Sequence, residues 1–139
     1  MPTVEIIATG SELLTGRHVN TNAVELSREL SARGFSVIRH QTLGDDLRRL
    51  AEALRQALAA ADIVITTGGL GPTLDDVTRS ALSEATGIPL RFDDEAAAQL
   101  QQRFRSLGRS MAANNLVQAE VPERGGWFPN PHGTAPGLY

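Results

Sequence analysis

Three short apolar runs divide the first half of the chain, and each is followed by a segment with helical spacing. The runs cover residues 3–9, 35–43 and 62–67. The first and third suit strands buried on both faces, and the second shows some alternation of apolar and polar positions. Three successive strand-helix units predict parallel strands joined by right-handed crossovers. The pattern therefore predicts a doubly wound α/β fold.

The helices between these strands are marked by apolar stripes and by capping residues. A stripe of Ala23, Leu26 and Leu30 follows a cap among residues 20–22 and ends at Gly34. The next helix follows Asp45 and Asp46 and extends to about residue 61, and a third covers about 76–85 before Gly87.

The second half of the chain is less regular. Asp93 or Asp94 is expected to cap a helix with the stripe Ala97, Leu100, Phe104 and Leu107. A short helix or turn is expected over 111–115 and a strand over 116–121. Residues 125–137 are so rich in Gly, Pro, Asn and Thr that they predict a loop.

Composition limits the class of protein. The 139 residues are enough for a single domain over 1–139, and 41% hydrophobic with 21% charged residues is typical of a globular chain. All 13 basic residues are arginines, which excludes a Walker phosphate loop and a lysine nucleophile or base. The absence of cysteine excludes disulfides and thiolate metal ligands.

Charge and hydropathy indicate no nucleic-acid or membrane partner. The net charge of −3 is spread over mixed signs and offers no basic face for a phosphate backbone. No apolar stretch reaches the roughly 18 residues of a membrane span, and the N-terminus lacks the pattern of a signal peptide. We expect a cytoplasmic protein.

The chemistry is expected where the three strands end, because ligands of open parallel sheets bind beyond the carboxyl ends of the strands. These segments are residues 10–16, 44–46 and 66–76. All three are polar and contain glycine. Together they would gather five carboxylates around main-chain amides, from Glu12, Asp45, Asp46, Asp75 and Asp76.

The third of these segments carries the strongest signal. Gly68, Gly69 and Gly71 would let the main chain approach an anion closely, and the next helix would direct its N-terminal amides at the same place. The alternative is a tight turn that uses glycine only for its positive φ. Nearby threonine hydroxyls, which a plain turn does not need, favour phosphate binding.

A divalent metal is a second hypothesis, because several carboxylates and a phosphate in one crevice repel each other without a hard cation. Glu12 with two of the aspartates would form a magnesium-type site of oxygen ligands. Helix capping explains the aspartates equally well. His132 is the histidine expected nearest a ligand, although turn packing also accounts for it, whereas His18 and His40 are expected to be surface or structural residues.

Three strings in this sequence closely resemble the N-terminal domain of the CinA family, the competence/damage-inducible proteins. They are IATGSELLTGRHVNTNA, TTGGLGPTLDDVTRSAL and, after QAEVPE, NPHGTAPG. The resemblance covers nearly the whole chain. It implies membership of the molybdopterin-binding superfamily of MoaB/Mog-like proteins, and hence a three-layer α/β/α sandwich with a mostly parallel sheet.

The resemblance implies two functions. One is hydrolysis of ADP-ribose to AMP and ribose 5-phosphate, dependent on magnesium, manganese or cobalt. The alternative is a non-catalytic module that binds molybdopterin or a nucleotide. Glu12, Asp45 and Asp76 are the candidate catalytic residues and metal ligands. The candidate contacts to a small phosphate ligand are Gly10, Thr66, Thr67, Gly68, Gly69, Gly71, Pro72, Thr73, Asn130, Gly133 and Thr134.

The family pattern also continues past the last residue here. A further strand, an LPGxPxEM-type loop and usually a nicotinamide-nucleotide deamidase domain follow the HGTAPG segment in the family. We therefore expect a truncated domain without deamidase activity. An unpaired sheet edge and apolar surface left by truncation predict a homo-oligomer.

Overall fold

The computed structural model describes residues 1–139, which form two compact units, 1–69 and 70–139. Each unit is described by itself. The expectation of a single domain over 1–139 stays a prediction.

The first unit is a parallel sheet with helices in the order predicted from the sequence. Its elements are β1 (Thr3–Thr9), α1 (Ser11–Leu14), α2 (Thr21–Ala32), β2 (Ser36–Leu43), α3 (Leu47–Ala60) and β3 (Ile63–Thr67). The strand order is β2-β1-β3, and β1 pairs in parallel with both neighbours. The three predicted strands and their parallel arrangement are confirmed. The expectation that the third is buried on both faces is wrong, because Ile63 is exposed and the rest of β3 is only partly buried. The short helix α1 was not predicted.

The apolar stripes explain how the helices attach to this sheet. Val4 and Ile6 point to one face of β1, where they form a buried cluster with Ala23 and the partly buried Leu26 and Leu30 of α2. In α3, Leu50, Leu54 and Ala57 are fully buried or nearly so. Burying each leucine contributes about 1.5–3 kcal/mol, so these stripes decide which helix face meets the sheet.

Side-chain caps fix where the helices begin. The carboxylate of Asp46 accepts a hydrogen bond from the Arg49 amide at 2.9 Å and starts α3. Asn20 does the same for α2 through the Ala23 amide at 3.2 Å. Of the capping residues predicted for this unit, Asn20 and Asp46 are therefore the ones that act, and such a cap contributes about 1 kcal/mol.

The strand order has a consequence for function. The chain passes from β1 to β2 on one side and then returns across β1 to β3 on the other, so the direction of winding reverses at β1. In sheets of this kind the ligand crevice lies at the carboxyl ends of the two strands that flank the reversal. Here those ends are Thr9 in β1 and Thr67 in β3.

The second unit contains two helices, a 3-10 helix and two small antiparallel pairs of strands. Its elements are α4 (Thr78–Thr86), β4 (Leu90–Phe92), α5 (Asp94–Ser106), the 3-10 helix (Ala113–Ala119), β5 (Glu120–Pro122), β6 (Trp127–Phe128) and β7 (Gly137–Leu138). β4 pairs with β5, and β6 pairs with β7. Ala96, Ala97, Ala119 and Val121 form a buried cluster between α5 and β5.

The structure corrects several boundaries in this unit. Asp93 caps α5, since its carboxylate accepts from the Ala96 amide at 2.8 Å. The strand expected over 116–121 is wrong, because the 3-10 helix runs through Ala119 and only residues 120–122 are extended. The loop expected over 125–137 contains β6 and the start of β7. Strands of two or three residues are too short to show a period of two.

None of the helices in residues 1–139 combines the length and apolar character that crossing a membrane requires.

Candidate functional site

A cleft of about 130 Å³ lies where β1 and β3 end in the first unit. We call it the switch-point cleft. It is bounded by the ends of the two strands, by α1 and by the start of α2, with the lining residues Thr9, Glu12, Leu13, Val19, Asn20, Thr21, Asn22, Thr67 and Gly68. Of the predicted site residues, it brings together Glu12, Thr67 and Gly68. Most of its lining is uncharged and polar.

The floor of the cleft depends on a close approach between the two strand ends. Gly68 has φ +89°, in the left-handed region, and a Cβ at this position would collide with the Thr9 carbonyl oxygen and lie 3.0 Å from the Thr9 hydroxyl. Thr9 itself is buried, and its hydroxyl donates to the Thr67 carbonyl at 3.4 Å. Glycine at 68 is thus required both for its backbone conformation and for its lack of a side chain.

Glu12 lies beside the start of the segment that follows β1, residues 10–16. Gly10, with φ +151°, precedes α1, and a Cβ on Gly10 would lie 2.7 Å from the carboxyl carbon of Glu12. The Glu12 side chain is exposed at the rim of the cleft. Its main-chain oxygen accepts from the amides of Arg17 and His18 at 3.0 and 3.3 Å, which turns the chain toward α2. Glu12 is therefore the one carboxylate of the switch-point cleft.

The start of α2 is a part of the cleft that the sequence did not predict. Asn20, Thr21 and Asn22 line the cleft, although the sequence indicated them only as capping residues. The Asn20 side chain satisfies the Ala23 amide, and the helix begins at Thr21. The first amides of a 12-residue helix carry partial positive charge, which favours an anion near them. The three consecutive polar residues 20–22, which follow the segment after β1, were the sequence signal that could have indicated this part of the cleft.

Asp45 lies elsewhere in the first unit, at the end of β2. Its carboxylate accepts from both the amide and the hydroxyl of Ser11, at 3.2 and 2.9 Å. It does not line the switch-point cleft. These hydrogen bonds join the end of β2 to the start of α1. In this structure Asp45 therefore connects the segment that follows β2 with the segment that follows β1.

Asp76 closes a tight loop in the second unit. Its carboxylate accepts from the amide and the hydroxyl of Thr73 at 2.9 and 2.7 Å, and also from the Gly71 amide. Burial raises the pKa of Asp76, but the hydrogen bonds from Thr73 and Gly71 outweigh it and hold the pKa below its ordinary value. Asp76 is thus a carboxylate that remains charged and shapes the turn.

Arg79 is a residue that sequence reasoning missed. Its side chain is almost fully buried and donates to the carbonyl oxygens of Leu70 and Gly71, at 2.6 and 2.7 Å. Burial lowers its pKa, opposed by the charges of Glu120 and Asp76. Because both terminal guanidinium nitrogens donate to carbonyls in the glycine-rich segment, residues 66–76, Arg79 fixes the shape of the chain at Leu70 and Gly71. An arginine in a helix ordinarily indicates a solvated position, so no local signal distinguished it.

The glycine-rich segment has the conformation expected of a special turn. Gly69 has φ +69°, and Thr66 precedes it within β3, opposite Ile7 of β1. Pro72 and Thr73 line a pocket of about 270 Å³ in the second unit, together with Asp76, Arg79 and Glu120. The positive φ at Gly69 is the conformation that the tight-turn interpretation expects of a glycine.

The predicted contacts near the C-terminus form a self-contained loop. Asn130 accepts from the amides of His132 and Gly133 at 3.0 and 2.9 Å and donates to the Ala135 carbonyl at 2.9 Å. The Thr134 hydroxyl donates to the side-chain oxygen of Gln118 at 2.9 Å. The side chains of Asn130 and Thr134 therefore already have partners that hold the loop in shape.

The arrangement does not fit a preassembled metal centre. No group of three or more His, Asp or Glu side chains in residues 1–139 is placed to hold a metal ion. Asp45 is engaged with Ser11 and Asp76 with its own turn, while Glu12 is at the cleft. The metal bound by Glu12, Asp45 and Asp76 stays a prediction, and no chemical step is derived through it.

CinA-like and competence-damage inducible proteins are similar to this chain over nearly its whole length. A CinA-like protein of Solibacter usitatus is 48% identical over 135 residues, which are 97% of this chain and 32% of that protein. A protein of Symbiobacterium thermophilum named as competence-damage inducible is 48% identical over 134 residues, 96% of this chain and 32% of that protein. The chain thus spans about a third of the length of these relatives.

Solved structures give the same result for the fold. The crystal structure of CinA from Thermoplasma acidophilum, titled as of unknown function, has a TM-score of 0.89 and 36% identity, covering 96% of this chain and 79% of that one. The molybdopterin biosynthesis enzyme MoaB of Thermus thermophilus has a TM-score of 0.56 at 19% identity, covering 90% and 72%. The latter likeness shows the α/β fold alone.

The family model described as a probable molybdopterin binding domain matches residues 5–139, nearly the whole chain. The resemblance to CinA proteins and the MoaB-like α/β fold with a parallel sheet are both confirmed. The chain belongs to the family of probable molybdopterin binding domains that the CinA-like proteins contain.

Proposed function

We propose that this chain binds a small phosphate-bearing ligand, a pterin phosphate or a nucleotide, in the switch-point cleft. The observation that carries the proposal is the reversal of strand order at β1, which places the ends of β1 and β3 and the start of α2 around one polar cleft. Hydroxyls from Thr67 and Thr21 and the Asn22 side-chain amide supply donors for phosphate oxygens. The main-chain amides of Thr21 and Ala23 already donate to Val19 and Asn20.

The comparisons support a pterin among the ligands to test. The structural neighbours include proteins titled as molybdopterin biosynthesis enzymes, and the family is described as a probable molybdopterin binding domain. Glu12 at the rim supplies an acceptor for the amino group of a pterin or for the hydroxyl groups of a ribose. The cleft of about 130 Å³ is smaller than either whole ligand, so it suits the phosphate and the group next to it.

Two threonines at one level of the sheet provide a matched test. Thr67 of β3 and Thr42 of β2 both pair with Ala8, on opposite sides of β1, but only Thr67 lines the cleft. Thr67→Val removes a hydroxyl and keeps the side-chain shape. We expect it to weaken AMP and ADP-ribose binding roughly tenfold, the effect of one lost hydrogen bond to a charged group. Calorimetry should find Thr42→Val unchanged, and equal affinities for both variants would contradict the proposal.

Hydrolysis of ADP-ribose to AMP and ribose 5-phosphate is the more specific proposal, and it rests on the resemblance to CinA proteins. In this chain Glu12 is the carboxylate that lines the cleft, and its proposed role is to accept a proton from the attacking water. Incubation with ADP-ribose and magnesium, manganese or cobalt, with chelator as the control, should release AMP. Binding without AMP release would support the non-catalytic module instead, and Glu12→Gln should abolish release while retaining binding.

A further inference from the structure

One face of α5 borders a preformed pocket in the second unit. Ala96, Gln99, Leu100 and Arg103 follow the i, i+3, i+4, i+7 spacing and so share one side of the helix. Opposite them lies the segment 129–136, and together they enclose a pocket of about 220 Å³. Pro129, Pro131 and Pro136 make most of the opposite wall apolar.

Arg103, which lines this pocket, has a side-chain hydrogen-bond donor without a partner. Its Nε is buried and has no hydrogen-bond partner. A buried donor on a charged group is costly when left unpaired, and such groups in folded proteins usually have a partner. No aspartate or glutamate lines the pocket, so the guanidinium charge meets no acidic side chain there. An oxyanion bound at the guanidinium would offset its charge, which no acidic side chain of the pocket does.

The loop that faces Arg103 is held by its own hydrogen bonds. The three hydrogen bonds of Asn130 close residues 130–135 on themselves. Thr134 is anchored to Gln118, which is fully buried and in turn donates to Asn115 at 3.0 Å. A pocket built from such a loop is present before any ligand arrives, which lowers the entropic cost of binding.

We propose that this pocket, which we call the α5 pocket, binds a small organic oxyanion through Arg103. The planar guanidinium suits the two oxygens of a carboxylate or a phosphate, and the proline and leucine walls suit an apolar or aromatic body attached to it. The proposal is independent of the switch-point cleft. It assigns to Arg103 a role that the sequence motifs did not indicate.

The test follows the Nε–H resonance of Arg103 in the ¹⁵N-labelled chain by NMR, assigned by its loss in Arg103→Met. The probes are phenyl phosphate, benzoate and inorganic phosphate. We expect phenyl phosphate or benzoate to shift this resonance and the amides of residues 130–134. Whichever of the two binds more tightly identifies the headgroup. Inorganic phosphate, which lacks the apolar body, should bind more weakly.

Variants of two arginines in α5 distinguish binding by Arg103 from a general effect of positive charge on the helix. Arg103→Met should weaken binding of phenyl phosphate or benzoate roughly tenfold or more, as expected when hydrogen bonds to a charged group are lost. Arg103→Lys keeps the charge but not the fork and should give an intermediate loss. Arg105→Met, an exposed arginine outside the pocket, is the matched control and should bind as the wild type does.

Three results would overturn the proposal. They are an Arg103 resonance that no probe shifts, equal affinity in Arg103→Met and wild type, and equal effects of Arg103→Met and Arg105→Met. If inorganic phosphate binds as tightly as phenyl phosphate, the apolar wall has no part in recognition and the proposed ligand class is wrong. If Arg103→Met does not fold, the wild-type resonance and Arg103→Lys decide the outcome.

Discussion

Replacing Gly68 by alanine tests the close approach of β1 and β3 on which the switch-point cleft depends. Gly68 has φ +89°, and an added Cβ would meet the Thr9 carbonyl oxygen, which belongs to the backbone of the central strand and cannot rotate away. Two costs therefore combine in Gly68→Ala. The left-handed backbone costs about 1–2 kcal/mol for a residue with a Cβ, and the forced displacement of packed main chain costs about 1–3 kcal/mol.

A second glycine isolates the steric part of this cost. Gly34, after α2, has φ +84°, nearly the same backbone angle, and an added Cβ there meets nothing within 4 Å. Gly34→Ala should therefore lose only about 1–2 kcal/mol. Gly68→Ala should lose about 2–5 kcal/mol in total. The entropy that alanine removes from the unfolded chain is shared by both variants and cancels in the comparison.

Urea unfolding followed by far-UV circular dichroism measures both losses of free energy. Wild type, Gly68→Ala and Gly34→Ala are compared at one protein concentration. Equal slopes of unfolding free energy against urea concentration show that the unfolded states are comparable. The urea midpoint of unfolding should be highest for wild type, lower for Gly34→Ala and lowest for Gly68→Ala. If the two variants lose the same free energy, the collision with Thr9 imposes no constraint and the reasoning about the cleft floor is refuted.

Three further predictions concern the loop, pH and assembly. Arg79→Met should disorder the glycine-rich segment, since the carbonyls of Leu70 and Gly71 lose their donors; faster amide exchange at residues 71–76 in the variant than in Arg91→Met would show it. Hydrogen bonds from the Thr3 amide, and then its hydroxyl, lower the pKa of Asp62, so they stabilise the fold above the carboxyl's unfolded pKa and are lost as pH falls through the folded value. The unfolding free energy of Asp62→Asn should therefore approach that of wild type in acid, whereas a constant difference would contradict this. Because β2 is an edge strand with Ile38 about half exposed, light scattering should find assemblies larger than the 14.9 kDa chain, and a monomer at all concentrations would refute this.

Local sequence determined the elements whose signals lie within a few residues. The apolar runs indicated where β1, β2 and β3 lie. Burial on both faces explains only the run of β1, which is buried from Val4 to Thr9, whereas β2 and β3 are at most partly buried. Asn20, Asp46 and Asp93 specified helix starts, because a cap bonds an amide only three residues away. The polar residues after the strands also indicated which ends of the sheet to inspect, although not which residues would meet there.

Tertiary structure decided what depends on distant partners. Right-handed crossovers allow more than one strand order, and only the packed sheet shows β2-β1-β3 and hence the cleft between the ends of β1 and β3. Arg79 is buried because carbonyls eight and nine residues earlier fold back over it, and Arg103 faces a pocket because segment 129–136 returns to α5. An arginine in a helix has the same local pattern whether water or protein surrounds it, so its environment is a property of the fold rather than of its neighbours in sequence.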